Sequence, residues 1–239
     1  MATGCGSDGP LSDAAGVRAG VGDRNGGRSV ARTYEVTIEN LTGGQWLTPP
    51  LIATHQGGED VFDVGRPASF GVRQVAENGN LAPLQQALEN DDHVSAVVVA
   101  AAGTPPPLGP GQRVTVTIDA QPGARFLSFV SMLICTNDGF TGLDSFRLPS
   151  SVGEAVVLDT DAYDAGSEIN TEDFADLVPP CPVLTGVSSS VPGTGTSDPA
   201  LAENGVIHMH PGIAGIADLL PGLHGFSNPV GRIAITRTR

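Results

Sequence analysis

Polar and apolar residues alternate one for one in several short runs, and glycine and proline punctuate the stretches between them. TYEVTIENLT, residues 33–42, sets Tyr34, Val36 and Ile38 on one side and polar residues on the other, the period of a half-buried strand. RVTVTID repeats the pattern with Val114, Val116 and Ile118, and the closing VGRIAITRTR does so with Ile233 and Ile235. With 32 Gly and 19 Pro in 239 residues, such a chain has little room for long helices and favours many short strands. Hydrophobic residues make up 40% of it, enough for a sizeable core.

Other segments are apolar without alternation. VSAVVVAAA, from residue 94, and RFLSFVSMLI, which ends before Cys135, have the pattern of buried strands; TPPLIAT, AVVL (155–158) and VIHMH (206–210) are shorter strand candidates. Residues 67–92 differ, because apolar residues recur there every three or four positions, with Leu84 and Leu88 one turn apart. This predicts two short helices, or one broken between Gly79 and Pro83, with Pro67 in a first turn and Asn78-Gly79 as a stop. Residues 185–205 read as a low-complexity loop. Residues 1–31 show no periodicity and read as a disordered tether, leaving 32–239 as one domain. The fold class is mainly β, an antiparallel sandwich with one or two short helices inserted.

Twelve cations, all arginine, face 26 acidic residues, for a formal net charge of −14. That balance argues against nucleic acid and anionic membranes as partners, because phosphate repels it, and suits a cation binder or a salty setting. No run of 18 apolar residues predicts a transmembrane segment. At the start, MATGCGSDGPLSDAAG places Cys5 after small residues and before a Gly/Ser/Asp-rich stretch. Two readings stand: the end of a bacterial lipoprotein signal with Cys5 as the lipidated residue, or a chance cysteine in a disordered terminus. Cys135 and Cys181 form a disulfide if the protein is exported, and stay buried thiols in a reducing compartment.

Seven carboxylates (Asp159, Asp161, Asp164, Glu168, Glu172, Asp173 and Asp176) crowd 18 residues with no cation among them. An EF-hand count from Asp159 fails, since Asp164 stands where glycine is required and Asn170 where the closing glutamate belongs. A second acidic segment, CTNDGFTGLDSF (135–146), carries Asp138 and Asp144. It follows a strand ending at Cys135, as Asp159 follows one ending at Leu158. Strands running the same way bring both loops to one end of a sandwich, where converging carboxylates hold calcium. The alternative is two exposed loops with Asn and Asp present for turn chemistry. The tail Glu172–Asp176 reads as solvated acid. His208 and His210 share one face of a strand and, with His55 or His224, suit zinc or copper, or else serve packing. No G-x-S-x-G, P-loop or G-x-G-x-x-G occurs. A carboxylate pair suits glycoside hydrolysis, yet Trp46 is the single tryptophan and no sugar platform is evident.

These segments resemble the spondin domain in its bacterial form. The family loop, roughly Ser-Pro-Asp-Trp-Phe-Val-Gly-Val-Asp-Ser, stands here as Thr136-Asn137-Asp138-Gly139-Phe140-Thr141-Gly142-Leu143-Asp144-Ser145, and its Leu-Asp followed by Tyr-Asp-Ala-Gly-Thr-Asp as Leu158-Asp159 and Tyr163-Asp164-Ala165-Gly166-Ser167-Glu168. The closing Gly231-Arg232-Ile233-Ala234-Ile235 matches the family's last strand. The resemblance implies a C2-like β-sandwich, secretion, and calcium held by Asp138, Asp164 and Glu168, with Asp144 and Asp159 as second-rank ligands that otherwise brace the loops. Two departures are Gly139, where the family has an aromatic, and Glu168, where it has Asp. The function so implied is a non-enzymatic binding or adhesion module, secreted, periplasmic or at the cell surface, with a lipid anchor through Cys5 on the lipoprotein reading. Its ligand is an extracellular or cell-surface protein or polysaccharide. The alternative is a small secreted, glycosidase-like hydrolase using the same loop carboxylates.

Overall fold

The alternating runs pair with one another. In a computed structural model the described residues are 30–101 and 107–239, so Cys5 and nearly all of the tether lie outside them. Among the described residues the strands are β1 (Arg32–Asn40), β2 (Leu51–His55), β3 (Val94–Val99), β4 (Arg113–Ala120), β5 (Phe126–Met132), β6 (Gly139–Arg147), β7 (Ala155–Thr160), β8 (Ala162–Asp164), β9 (His208–Met209) and β10 (Gly231–Arg237). Helices α1 (Phe70–Asn78) and α2 (Ala82–Glu89) separate β2 from β3; α3 (Pro180–Leu184) and α4 (Pro221–His224) lie in the C-terminal third.

Two antiparallel sheets result, one in the order β4-β1-β10-β7 and one in the order β3-β2-β5-β6-β8-β9. In the first, Val36 lies opposite Val116 and Ile235, and Ile38 opposite Val114 and Ile233. Those side chains turn inward, while Glu35, Thr115, Thr117 and Arg232 face solvent, which is why this sheet alternates so cleanly in the sequence. The second sheet is covered on both faces. Leu127 and Phe129 of β5 join the core between the sheets, and Val130 and Met132 pack under Val72, Val75 and Leu84 of α1 and α2. A strand buried twice needs apolar residues at successive positions, so β5 reads as a continuous run.

Both predicted helices form, but α1 starts later than Pro67. The Ser69 hydroxyl accepts from Val72 N–H at 3.3 Å and satisfies one of the orphan donors of the first turn. Gly79, at φ 63°, ends the helix as the Asn-Gly pair predicts. Two further short helices, α3 and α4, occur in segments whose sequence shows no helical periodicity. The predicted loop 135–146 is mostly strand β6, and only the turn before Gly139 remains a loop. Its glycines hid the strand. A Cβ on Gly142 would lie 2.5 Å from the Phe129 carbonyl oxygen and 2.9 Å from the Phe62 ring, so glycine here serves close packing. VIHMH shortens to the two residues of β9.

The chain changes sheets between Thr160 and Ala162. β7 pairs with β10, and one residue later β8 pairs with β6. Thr141 secures the crossing, its hydroxyl lying 2.9 Å from Thr160 Oγ1 and 2.9 Å from the Asp161 carbonyl oxygen. The register that follows sets Gly139 opposite Asp164. A disulfide joins Cys135, just past β5, to Cys181 in α3, with an S–S distance of 2.13 Å.

Two-faced burial of β5 makes its core positions costly to truncate. Phe129→Ala should lower unfolding free energy by about 3–5 kcal/mol, and Thr117→Ala on the solvent face should change it by less than about 0.5 kcal/mol, both read by urea titration.

Candidate metal centre

Asp138 closes the turn after β5, and Asp164 ends β8 beside it; both are fully buried. Asp138 Oδ2 accepts three hydrogen bonds, from Ser167 N at 2.7 Å, Glu168 N at 3.0 Å and Ser167 Oγ at 3.1 Å. Its other oxygen, Oδ1, is buried and has no partner. Asp164 is better served, with Oδ1 accepting from Gly166 N at 2.8 Å and Oδ2 from Asn170 Nδ2 at 2.6 Å. Neighbouring Asn137 clasps the same segment, its Oδ1 accepting from Thr171 N at 3.1 Å and its Nδ2 donating to Thr171 Oγ1 at 3.1 Å. Burial pushes the Asp138 carboxyl up to about 6, and the charge of Asp164 adds to the shift.

The remaining predicted ligands point elsewhere. Glu168 reaches Asp138 through its backbone N–H, but its carboxylate Oε1 accepts from Asp198 N at 3.2 Å. Asp144, in β6, binds Val61 N at 2.7 Å and Ser128 Oγ at 3.1 Å and so pins the chain after β2. Asp159 makes a two-pronged ion pair with Arg232, at 2.6 and 3.0 Å, on the solvent face of the four-stranded sheet. That guanidinium holds the Asp159 carboxyl below its ordinary value. Donor atoms of three His, Cys, Asp or Glu side chains converge within 4.8 Å at two other places among the described residues: Cys135, Cys181 and His224, and Glu59, Asp91 and His93. A calcium ion at Asp138 and Asp164 would therefore complete its six to eight oxygens with backbone carbonyls and water.

His208 and His210 do not converge with His55 or His224 on one metal position. His55 is held by Gln56 O at 2.8 Å and Ser128 Oγ at 2.9 Å, and His224 Nδ1 accepts from Leu220 N at 2.9 Å. His208 Nδ1 lies 2.9 Å from the Val206 carbonyl and so donates to it. His210 Nδ1 accepts from Gly212 N at 3.0 Å, and burial lowers its pKa to about 4, so the neutral ring carries its proton on Nε2. Nε2 is then a donor rather than a ligand, and it too is buried without a partner. The ring packs edge-to-face on Phe226 at 5.1 Å. It also fills space that Gly139 leaves, since a Cβ there would sit 3.0 Å from His210 Cδ2.

Glu172 is the residue sequence reasoning placed least well. It is buried rather than solvated, and its carboxylate takes Ala214 N at 2.6 Å, Gly215 N at 2.6 Å and Ile216 N at 2.8 Å. Three successive backbone donors form an anion nest. The Ala-Gly content of residues 214–215 was the available signal.

The family model Spondin_N matches residues 40–174, more than half of the chain, including the Asp138 turn and the Asp164 strand. The chain belongs to the spondin amino-terminal domain family. No curated protein matches it. The matched part of the spondin domain contains Asp138, Asp164 and Glu168, whereas Cys181, His208 and His210 lie beyond it.

Beside the aspartate pair a cleft of about 460 Å3 opens between α1 and residues 165–168 and 197–205. Glu77 and Glu168 line it, both nearly fully buried. Burial raises the Glu168 carboxyl to about 7, with the charges of Glu77, Asp138 and Asp176 adding and the Asp198 N–H opposing. A carboxyl raised in the folded state binds its proton there first, so stability is gained as pH falls through about 7. Asp138 adds to the gain below about 6, where His210 and His224, whose pKa values burial lowers, begin to oppose it. In chelator, the melting temperature should therefore rise between roughly pH 8 and pH 6.5. Glu168→Gln should flatten that rise and raise the melting temperature at the alkaline end.

Proposed function

We propose that this spondin domain is an exported, non-enzymatic binding module in which calcium, held by Asp138 and Asp164, ties the turn before β6 to residues 164–172. The observation that carries the reading is the bare Asp138 Oδ1, a buried carboxylate oxygen with no donor, beside a second buried carboxylate. An uncompensated buried charge is expensive, and a hard divalent ion offsets it while accepting backbone oxygens and water around it. Its chemistry there is structural, neutralising the aspartate pair and rigidifying the loop end. Glu168 serves by its N–H to Asp138, and Asp144 and Asp159 brace the scaffold.

Export is supported by the Cys135–Cys181 disulfide, which suits an oxidising compartment. No helix among the described residues is long and apolar enough to cross a membrane. The binding-module reading is favoured over a glycosidase-like hydrolase because no aromatic side chain lines the cleft that holds Glu77 and Glu168. The partner is an extracellular or cell-surface protein or polysaccharide.

Calcium at about 100 times its Kd should stabilise the fold by about 2.7 kcal/mol, a rise of roughly 5–10 °C in melting temperature for a domain of this size. Asp138→Asn and Asp164→Asn should abolish the rise, while Glu168→Gln keeps it. Identical melts in chelator and in millimolar calcium contradict the proposal.

A further inference from the structure

The cleft beside the aspartate pair has two unlike surfaces. Pro67, Ala68, Pro199 and Ala202 form apolar walls, and the carboxylates of Glu77 and Glu168 stand among them. Glu168 is 4% exposed and Glu77 5%. Glu77 is partly compensated, because Ser197 Oγ donates to its Oε2 and Arg73 Nε lies 3.7 Å from its Oε1. Glu168 is not. Its single donor is Asp198 N on Oε1, and Oε2 accepts a hydrogen bond from no described residue. The charges of Glu77, Asp138 and Asp176 act on it unfavourably, and Arg73, the cation lining this cleft, is turned to Glu77. The free oxygen of Glu168 thus opens on a cleft large enough for a small ligand.

What fits is a cation, and its kind follows from the walls. A hard inorganic ion would leave the apolar walls of Pro67, Ala68, Pro199 and Ala202 without a contact. A guanidinium favours a planar bidentate partner and an aromatic face to stack on, and no aromatic residue lines the cleft. A primary ammonium is compact and carries three donors, enough for separated oxygens on Glu77 and Glu168. Its aliphatic stem suits walls of proline and alanine. We propose that this cleft is a binding site for an aliphatic primary ammonium, the side chain of a lysine presented by a partner protein.

The proposal rests on the binding-module reading and names the partner's chemistry. It also links the cleft to the proposed calcium site, because Ser167 and Glu168 form its wall and their N–H groups hold Asp138 Oδ2. Calcium that fixes Asp138 would fix that wall.

The test is an amide NMR titration of the full chain in saturating calcium with Nα-acetyl-lysine-N-methylamide, and with the same compound acetylated on Nε. The lysine probe should saturate with a Kd on the order of 1 mM, what a ligand of its size reaches at ordinary efficiency. It should shift the amides of Ser167, Glu168, Ser197 and Ala202, and the acetylated probe should leave them unmoved. Glu168→Gln should weaken binding at least tenfold while keeping the calcium-dependent rise in melting temperature, which shows that the variant is folded. Equal shifts from both probes, or none from either, overturn the lysine site. A calcium response lost in Glu168→Gln also overturns it, by making that carboxylate an ion ligand, and leaves the calcium reading standing. A wild-type melt indifferent to calcium, with the lysine probe still bound, fails the calcium reading alone.

Discussion

One half-satisfied carboxylate organises this end of the molecule. Asp138 Oδ2 gathers three donors from Ser167 and Glu168, which draws the acidic segment after β8 against the turn after β5. Its Oδ1 receives nothing, although the residue is fully buried beside Asp164. Charge out of water without a partner is destabilising, and the raised Asp138 carboxyl expresses the same conflict as a proton affinity. The proposed cation would resolve it without disturbing the three hydrogen bonds already made.

The scaffold delivers these groups through a single register. β7 belongs to the four-stranded sheet and β8 to the six-stranded one, and the crossing held by Thr141 and Thr160 sets Asp164 opposite Gly139. A slip of one residue would turn Asp164 to the other face of the strand. Asn137 and Glu172 then lock the continuation, one through Thr171 and the other through the donors of residues 214–216. The apolar sandwich sets the end-to-end alignment, and a few buried polar contacts set the site.

Much of the fold was legible because period-two alternation survives wherever one sheet face meets water. Tyr34, Val36, Ile38, Val114 and Ile118 all lie in the core as their spacing predicts. Strand β6 was not legible, because Gly139 and Gly142 replace side chains that would have shown its pattern, and Asp144 looked like loop chemistry although it caps backbone donors from inside a strand. At the site, Asp138 and Asp164 were both readable as an acidic pair across two segments. That Glu168 would turn its carboxylate into a cleft with Glu77 was not, because Glu77 lies on a helix about 90 residues earlier and only packing brings them together. Glu172 and Asn137 were missed for the same reason: their partners lie 34 to 44 residues away in the chain and are brought to them only by packing.

The central claim is that Asp138 Oδ1 waits for a cation. A crystal structure of the protein grown with calcium, with anomalous data, tests it most directly. The account predicts one calcium peak about 2.3–2.6 Å from Asp138 Oδ1 and from an oxygen of Asp164. Finding Oδ1 bound only to water or to a protein donor, with no anomalous peak beside it, would contradict it.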